Sequence, residues 1–149
     1  MNIQLRKIEE RDFPALIELF KEFAALEKRP EKMVNSVEQM KKDKELINGF
    51  VVEREGEIIA FITFYFIYLS WTGKVLYMDD LYVTQENRGN GLGSRLINEV
   101  ISYAKQERCK KMRWGVSNWN KAAIDFYKNL GAEIDEVELN CHLNLAERG

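Results

Sequence analysis

A chain of 149 residues with 46% hydrophobic and 11% aromatic content can bury one proper core, which predicts a single domain over residues 1–149. Its 24 acidic and 22 basic residues leave a formal charge of −2, so no electrostatic argument points to nucleic acid or to a membrane surface. No run approaches the ~20 apolar residues of a membrane span, and the first ten residues lack a signal peptide's apolar stretch, so cytoplasmic residence is expected.

Residues 3–8 alternate apolar and polar and predict a strand. Asp12 is expected to cap a helix that tolerates Pro14 in its first turn and buries Phe13, Leu16, Ile17, Phe20, Phe23 and Ala24. A more polar helical segment is expected at about 36–44, with Gly49 opening the sheet. Residues 50–54 and 57–68 predict a hairpin around Glu55-Gly56, and a turn at 71–73 leads to a long strand at 74–83. Further on, 111–116 reads as a strand. Asn118 is a candidate cap for a helix running to Leu130 and ended by Gly131, and 133–145 has strand-like alternation through Val137, Leu139, Cys141 and Leu143. Cys109 and Cys141 lack the paired spacing of a zinc or redox site and are expected as free thiols; no metal is expected. His142, the chain's single histidine, reads as a surface or packing residue.

The most informative stretch is 82–104, a strand, a glycine-spaced basic loop and an amphipathic helix with Leu92, Leu96, Val100 and Ala104 on one face. Glycines at 89, 91 and 93 let backbone N–H groups and a helix N-terminus converge on a phosphate, with Arg88 alongside. The loop lacks the Gly-Lys-Ser/Thr ending of an ATP-hydrolysing P-loop, and Ser94 stands where a dinucleotide fingerprint needs its third glycine. What remains is Arg88-x-x-Gly91-x-Gly93.

That pattern resembles the pyrophosphate loop of the GCN5-related N-acetyltransferases (GNAT). The likeness extends to Ala60-Phe61, Tyr65-Phe66, Tyr68, Trp71, Gly73-Lys74, Leu76-Tyr77 and Asp80 ahead of the loop. Behind it come Trp119-Asn120, Phe126-Tyr127-Lys128 and Gly131-Ala132, and near the start Lys21-Glu22-Phe23-Ala24 with Glu27. Together they are similar to the diamine (spermidine/spermine N1-) acetyltransferase-like branch. The resemblance implies an α/β fold, the GNAT acyl-CoA N-acyltransferase fold, with a mixed central sheet of about six to seven strands flanked by about four helices. It also implies acetyl-CoA as cosubstrate and a homodimer.

Residue by residue, the resemblance implies that backbone groups of Leu81, Tyr82 and Val83 hold the pantetheine arm and thioester. Gly89, Asn90, Gly91, Leu92, Gly93 and Ser94 would take the pyrophosphate with Arg88 at its flank, and Asn120, Lys121, Ala122 and Ala123 the coenzyme's far arm. Tyr127 matches the family's general acid, although Phe126 and Tyr127 also read as adjacent core aromatics, and Asn120 as a helix-start residue. Asp79 matches the glutamate assigned to amine binding and proton removal, and Asp80 its neighbouring aspartate. As strand neighbours the two are expected to face opposite ways, so that one can meet the amine and the other cannot; both also read as solvated strand-end carboxylates. Acceptor contacts would come from Leu26, Glu27, Asp79, Asp80, Arg113, Trp114 and Gly115. The chain departs from the polyamine pattern at Leu69-Ser70-Trp71, where the branch has an aspartate before Pro-Trp, and at Arg113, a cation able to bind a carboxylate. The expected activity is direct acetyl transfer to a small primary amine, a diamine, polyamine or lysine-like amino acid. Alternatives are a protein or peptide N-acetyltransferase and a non-catalytic acetyl-CoA sensor.

Overall fold

The computed structural model describes residues 2–146; residues 1 and 147–149, the ends of the expected 1–149 domain, lie outside the described residues. Two compact units are distinguished, one through Trp114 and one from Gly115 onward.

The first unit is a five-stranded sheet in the order β1 (Ile3–Lys7), β2 (Asn48–Arg54), β3 (Glu57–Leu69), β4 (Gly73–Val83), β5 (Lys111–Arg113). The first three junctions are antiparallel, and β4 runs parallel to β5. Helices α1 (Phe13–Leu26) and α2 (Val37–Lys42) belong to one face and α3 (Leu92–Gln106) to the other. Strand alternation explains the two cores. Val51, Phe61 and Tyr82 join Phe13, Leu16, Ile17 and Met40 on the α1 face, while Phe50, Phe64 and Phe66 surround Tyr103 of α3 on the other. Where β2 starts, a Cβ on Gly49 would meet the Ile62 carbonyl oxygen at 2.2 Å, so only glycine lets β2 lie this close to β3.

The second unit holds α4 (Lys121–Leu130). Its cap is Asn120 rather than the expected Asn118, with Asn120 Oδ1 accepting from the Ala123 N–H at 3.1 Å.

Three other expectations are corrected. Residues 133–146 contain no strand despite their alternation, and β5 stops at Arg113 instead of 116, so the sheet has five strands among the described residues rather than six to seven. Alternation alone cannot make a strand without a partner edge to pair with. Asp12 does not cap α1 through its side chain. Instead its buried carboxylate receives two bonds from Arg6, at 2.8 and 2.9 Å, and one from the Glu9 N–H, because a buried guanidinium outcompetes an end-of-helix amide for it. Both cysteines are free, Cys109 half-buried and Cys141 exposed. Among the described residues no helix is long and apolar enough to cross a membrane.

Candidate active site

The geometry of the site begins with a register slip. Thr63 pairs with Asp80 and Phe64 with Met78, so Asp79 is an extra residue on β4. Such a β-bulge resets the alternation of side chains. Tyr82 and Asp80 lie on the α1 face, as strict alternation requires. Below the bulge Met78 pairs with Phe64 on the α3 face, so Asp79 has joined Asp80 on the α1 side. The two carboxylates therefore do not face opposite ways, as neighbours on a regular strand would; both line one cavity of about 360 Å³. The Thr63 hydroxyl closes the irregularity by accepting from the Asp80 N–H at 3.2 Å.

Helix α1 lends Phe20, Phe23, Ala24 and Glu27 to the cavity, and Thr63 and Tyr65 of β3 complete the wall beside the aspartates. The turn after α1 adds Arg29, Lys32, Met33 and Asn35. Partial desolvation by the cavity wall raises the Asp79 carboxyl above the ordinary carboxylate range. Half-buried Asp80 is pushed up to about 7, first by burial and then by repulsion from Asp79 and Glu27. The Tyr65 phenol is pushed up to about 12 by burial and by the same two aspartates, so it stays a proton donor at neutral pH.

By the bulge, β4 has already lost its neighbour. Pairing with β5 covers only Val75, Leu76 and Tyr77, which leaves Met78 to Val83 with one open edge. The Asp80 N–H points to Thr63 and the Thr84 N–H to the Ile59 carbonyl, both on β3. By alternation the N–H groups of Leu81 and Val83 point to the open edge. The Val83 carbonyl points there too and accepts from Arg88 Nε at 2.9 Å. Arg88 thus folds over the end of β4, its guanidinium 5.5 Å from the Tyr82 ring centroid. The Tyr82 side chain serves the core, stacking on Phe23 and donating its hydroxyl to Glu22 at 2.7 Å.

The glycine loop follows. Gly89 and Gly91 have φ of 83° and 78°, and a Cβ on either would meet nothing within 4 Å, so the loop leaves open space where a side chain would stand. Gly91 is the N-cap of α3, and the first intrahelical bond runs from the Arg95 N–H to the Gly91 carbonyl. The N–H groups of Leu92, Gly93 and Ser94 precede that bond and carry the helix's positive end. This cradle fits a pyrophosphate.

The remaining sequence-derived positions separate. Leu26 is 47% exposed at the end of α1 and does not line the cavity; exposed Arg113 and half-buried Trp114 follow on and after β5. Gly115, Asn120, Lys121, Ala122, Ala123 and Tyr127 belong to the second unit. There Tyr127 is half-buried with its ring 5.4 Å from that of Phe126, and Lys121 lies 3.8 Å from Asp125. Sequence reasoning missed Arg29 and Lys32 as cavity residues. The bulge that gathers the aspartates beside Tyr65 leaves no mark in residue order, and the two cations stand in an ordinary-looking charged run.

The acetyltransferase (GNAT) family model matches residues 3–132. The chain is 33% identical to a thialysine N-epsilon-acetyltransferase of Sus scrofa, over 92% of this chain and 88% of the relative. It is also 33% identical to the spermidine/spermine N(1)-acetyltransferase-like protein 1 of Homo sapiens, over 94% of this chain and 22% of that one. Among solved structures, an aminoglycoside N-acetyltransferase in complex with CoA shares the fold with a TM-score of 0.77 and 16% identity, covering 95% of both chains.

Proposed function

Since the chain belongs to the acetyltransferase (GNAT) family, in its diamine acetyltransferase-like branch, we propose that it transfers acetyl from acetyl-CoA directly to a small primary amine held in the cavity at the β4 bulge. The observation that carries this reading is the bulge itself, which sets Asp79 and Asp80 in one cavity on the open-edged stretch of β4. The 149 residues act as one domain, a reading supported by a family match that crosses from the first unit into the second.

In this reading the Gly89–Ser94 cradle binds the pyrophosphate, and the Leu81 and Val83 N–H groups orient the thioester arm along the open edge. Acetyl-CoA supplies an activated acyl carbon. A free N–H at that edge offers a bond to the thioester oxygen as charge gathers there. An amine of pKa near ~10 arrives protonated and must lose a proton before attack. The Asp79/Asp80 pair accepts it, directly or through water, and an acceptor pushed up to about 7 is well matched to working at neutral pH. A C–N bond forms as the C–S bond breaks; in this account Tyr127 gives the departing sulfur a proton and recovers the second proton that the acylated nitrogen sheds. No acyl-cysteine is needed, since a positioned amine attacks a thioester directly. The proposal includes cytoplasmic residence and a homodimer, the latter testable by light scattering against the monomer's 17.5 kDa.

The test is thiol release from acetyl-CoA with spermidine, spermine, putrescine, lysine, thialysine and a short peptide, with mass detection of the acetylated product. One acetylated small amine per thiol is expected. Release with the peptide alone would transfer the reading to a protein acceptor, and tight coenzyme binding without any turnover would indicate a sensor.

A further inference from the structure

The charge of the cavity is divided. Asp79, Asp80 and Glu27 supply anions to its lining, whereas exposed Arg29 and Lys32 bring two cations from the turn after α1. A diamine would gain nothing from that rim, because each cation repels a second ammonium in the same cavity. Among the described residues no ion pair or side-chain hydrogen bond engages Arg29 or Lys32, so neither is committed to the fold.

Their backbone is fixed all the same. Helix α1 ends with the Lys28 N–H bonded to the Ala25 carbonyl at 3.0 Å and the Arg29 N–H reaching back to the Ala24 carbonyl at 2.9 Å. This six-to-one closure requires a left-handed residue, and Lys28 provides it at φ 63°, a conformation that costs a non-glycine side chain about 1 kcal/mol. Pro30 then stiffens a 3-10 turn in which the Lys32 N–H donates to the Arg29 carbonyl at 3.0 Å. The turn therefore brings both cations to the cavity on a constrained backbone.

We propose that Arg29 and Lys32 recognise a carboxylate on the acceptor, so that the site selects an ω-amino acid, with its reacting amine at Asp79 and Asp80 and its carboxylate at this rim. The inference rests on the amine-acetylation reading and assigns the specificity to residues other than Arg113. A guanidinium can grip a carboxylate in a bidentate fashion, and a lysine beside it adds charge.

The experiment compares lysine with cadaverine, which has the same amine and chain but no carboxylate, in the wild type, R29A/K32A and R29E/K32E. In the wild type, kcat/KM for lysine should exceed that for cadaverine, and the advantage should shrink as salt is raised. The alanine pair should lower the lysine-to-cadaverine ratio at least tenfold, mainly through the KM for lysine. The glutamate pair should invert the preference, a gain for cadaverine that misfolding cannot mimic. Cadaverine turned over as well as lysine by the wild type, or an unchanged ratio in both variants, overturns the proposal while leaving amine acetylation intact. Turnover of neither amine overturns this proposal unless calorimetry shows lysine binding the wild type at least tenfold more tightly than R29A/K32A, while amine acetylation itself is decided by the wider amine panel.

Discussion

Replacing Asp80 by Asn should make the protein more stable and less active, with a gap that grows with pH. In the folded chain this carboxyl is raised from 3.8 to about 7, so between those values the native state holds a proton that the unfolded state has released. Stability must then fall as pH rises through that window, the reverse of the usual carboxylate case. The rise from 3.8 to about 7 sets a ceiling of roughly 4 kcal/mol, of which about 2–3 kcal/mol develops between pH 5 and 8. Solvent access at the half-buried site, and sharing of the proton with Asp79, reduce what is measured. An uncharged amide escapes the penalty. Urea unfolding of wild type and D80N at pH 5, 6, 7 and 8 should therefore show D80N gaining at least ~1 kcal/mol on wild type across the series. Over the same range its kcat should fall, because one member of the proton-accepting pair is gone. A stability difference independent of pH would refute the argument that the cavity stores an unfavourable charge for use in transfer.

Tyr127→Phe should lower kcat about 10²-fold while leaving acetyl-CoA affinity within a factor of two; stopped-flow turnover beside calorimetry checks this, and unchanged turnover removes the acid role. Gly91→Val should weaken coenzyme binding at least tenfold, since φ of 78° is denied to a β-branched residue and the cradle must rearrange; calorimetry with CoA reads it, and wild-type affinity would dismiss the pyrophosphate assignment. Gly49→Ala should destabilise by about 2 kcal/mol or more in urea, because the new methyl would meet a backbone carbonyl at 2.2 Å that side-chain adjustment cannot move; an unaltered midpoint would show that β2 can shift freely.

Much of this was legible in residue order because it depends on local chemistry. The phosphate cradle announces itself through glycine spacing ahead of an apolar helical stripe, and Gly131 marks the end of α4. The alternation of β1 and the turn at Glu55-Gly56 likewise fix antiparallel neighbours. What failed is what depends on partners and backbone geometry that the local pattern does not reveal. Asp79 and Asp80 share a cavity only because β3 and β4 pair out of step at Thr63/Phe64, which no residue in β4 reports. Asp12 has the identity of a helix cap, yet Arg6, six residues earlier, takes its carboxylate. Val137, Leu139, Cys141 and Leu143 alternate without forming a strand, and each is exposed. Arg29 and Lys32 reach the cavity through a helix-ending motif built on Lys28, a residue type that gives no hint of left-handed backbone.

The most direct test of the account is single-turnover acetyl transfer by the double variant Asp79→Asn/Asp80→Asn, measured with saturating acetyl-CoA and lysine at neutral pH. The bulge-paired carboxylates are predicted to be the route by which the amine loses its proton, so transfer should slow by about 10²-fold or more while acetyl-CoA binds as before. Transfer at the wild-type rate, with both carboxylates removed, would contradict the central claim that the β4 bulge builds the proton acceptor.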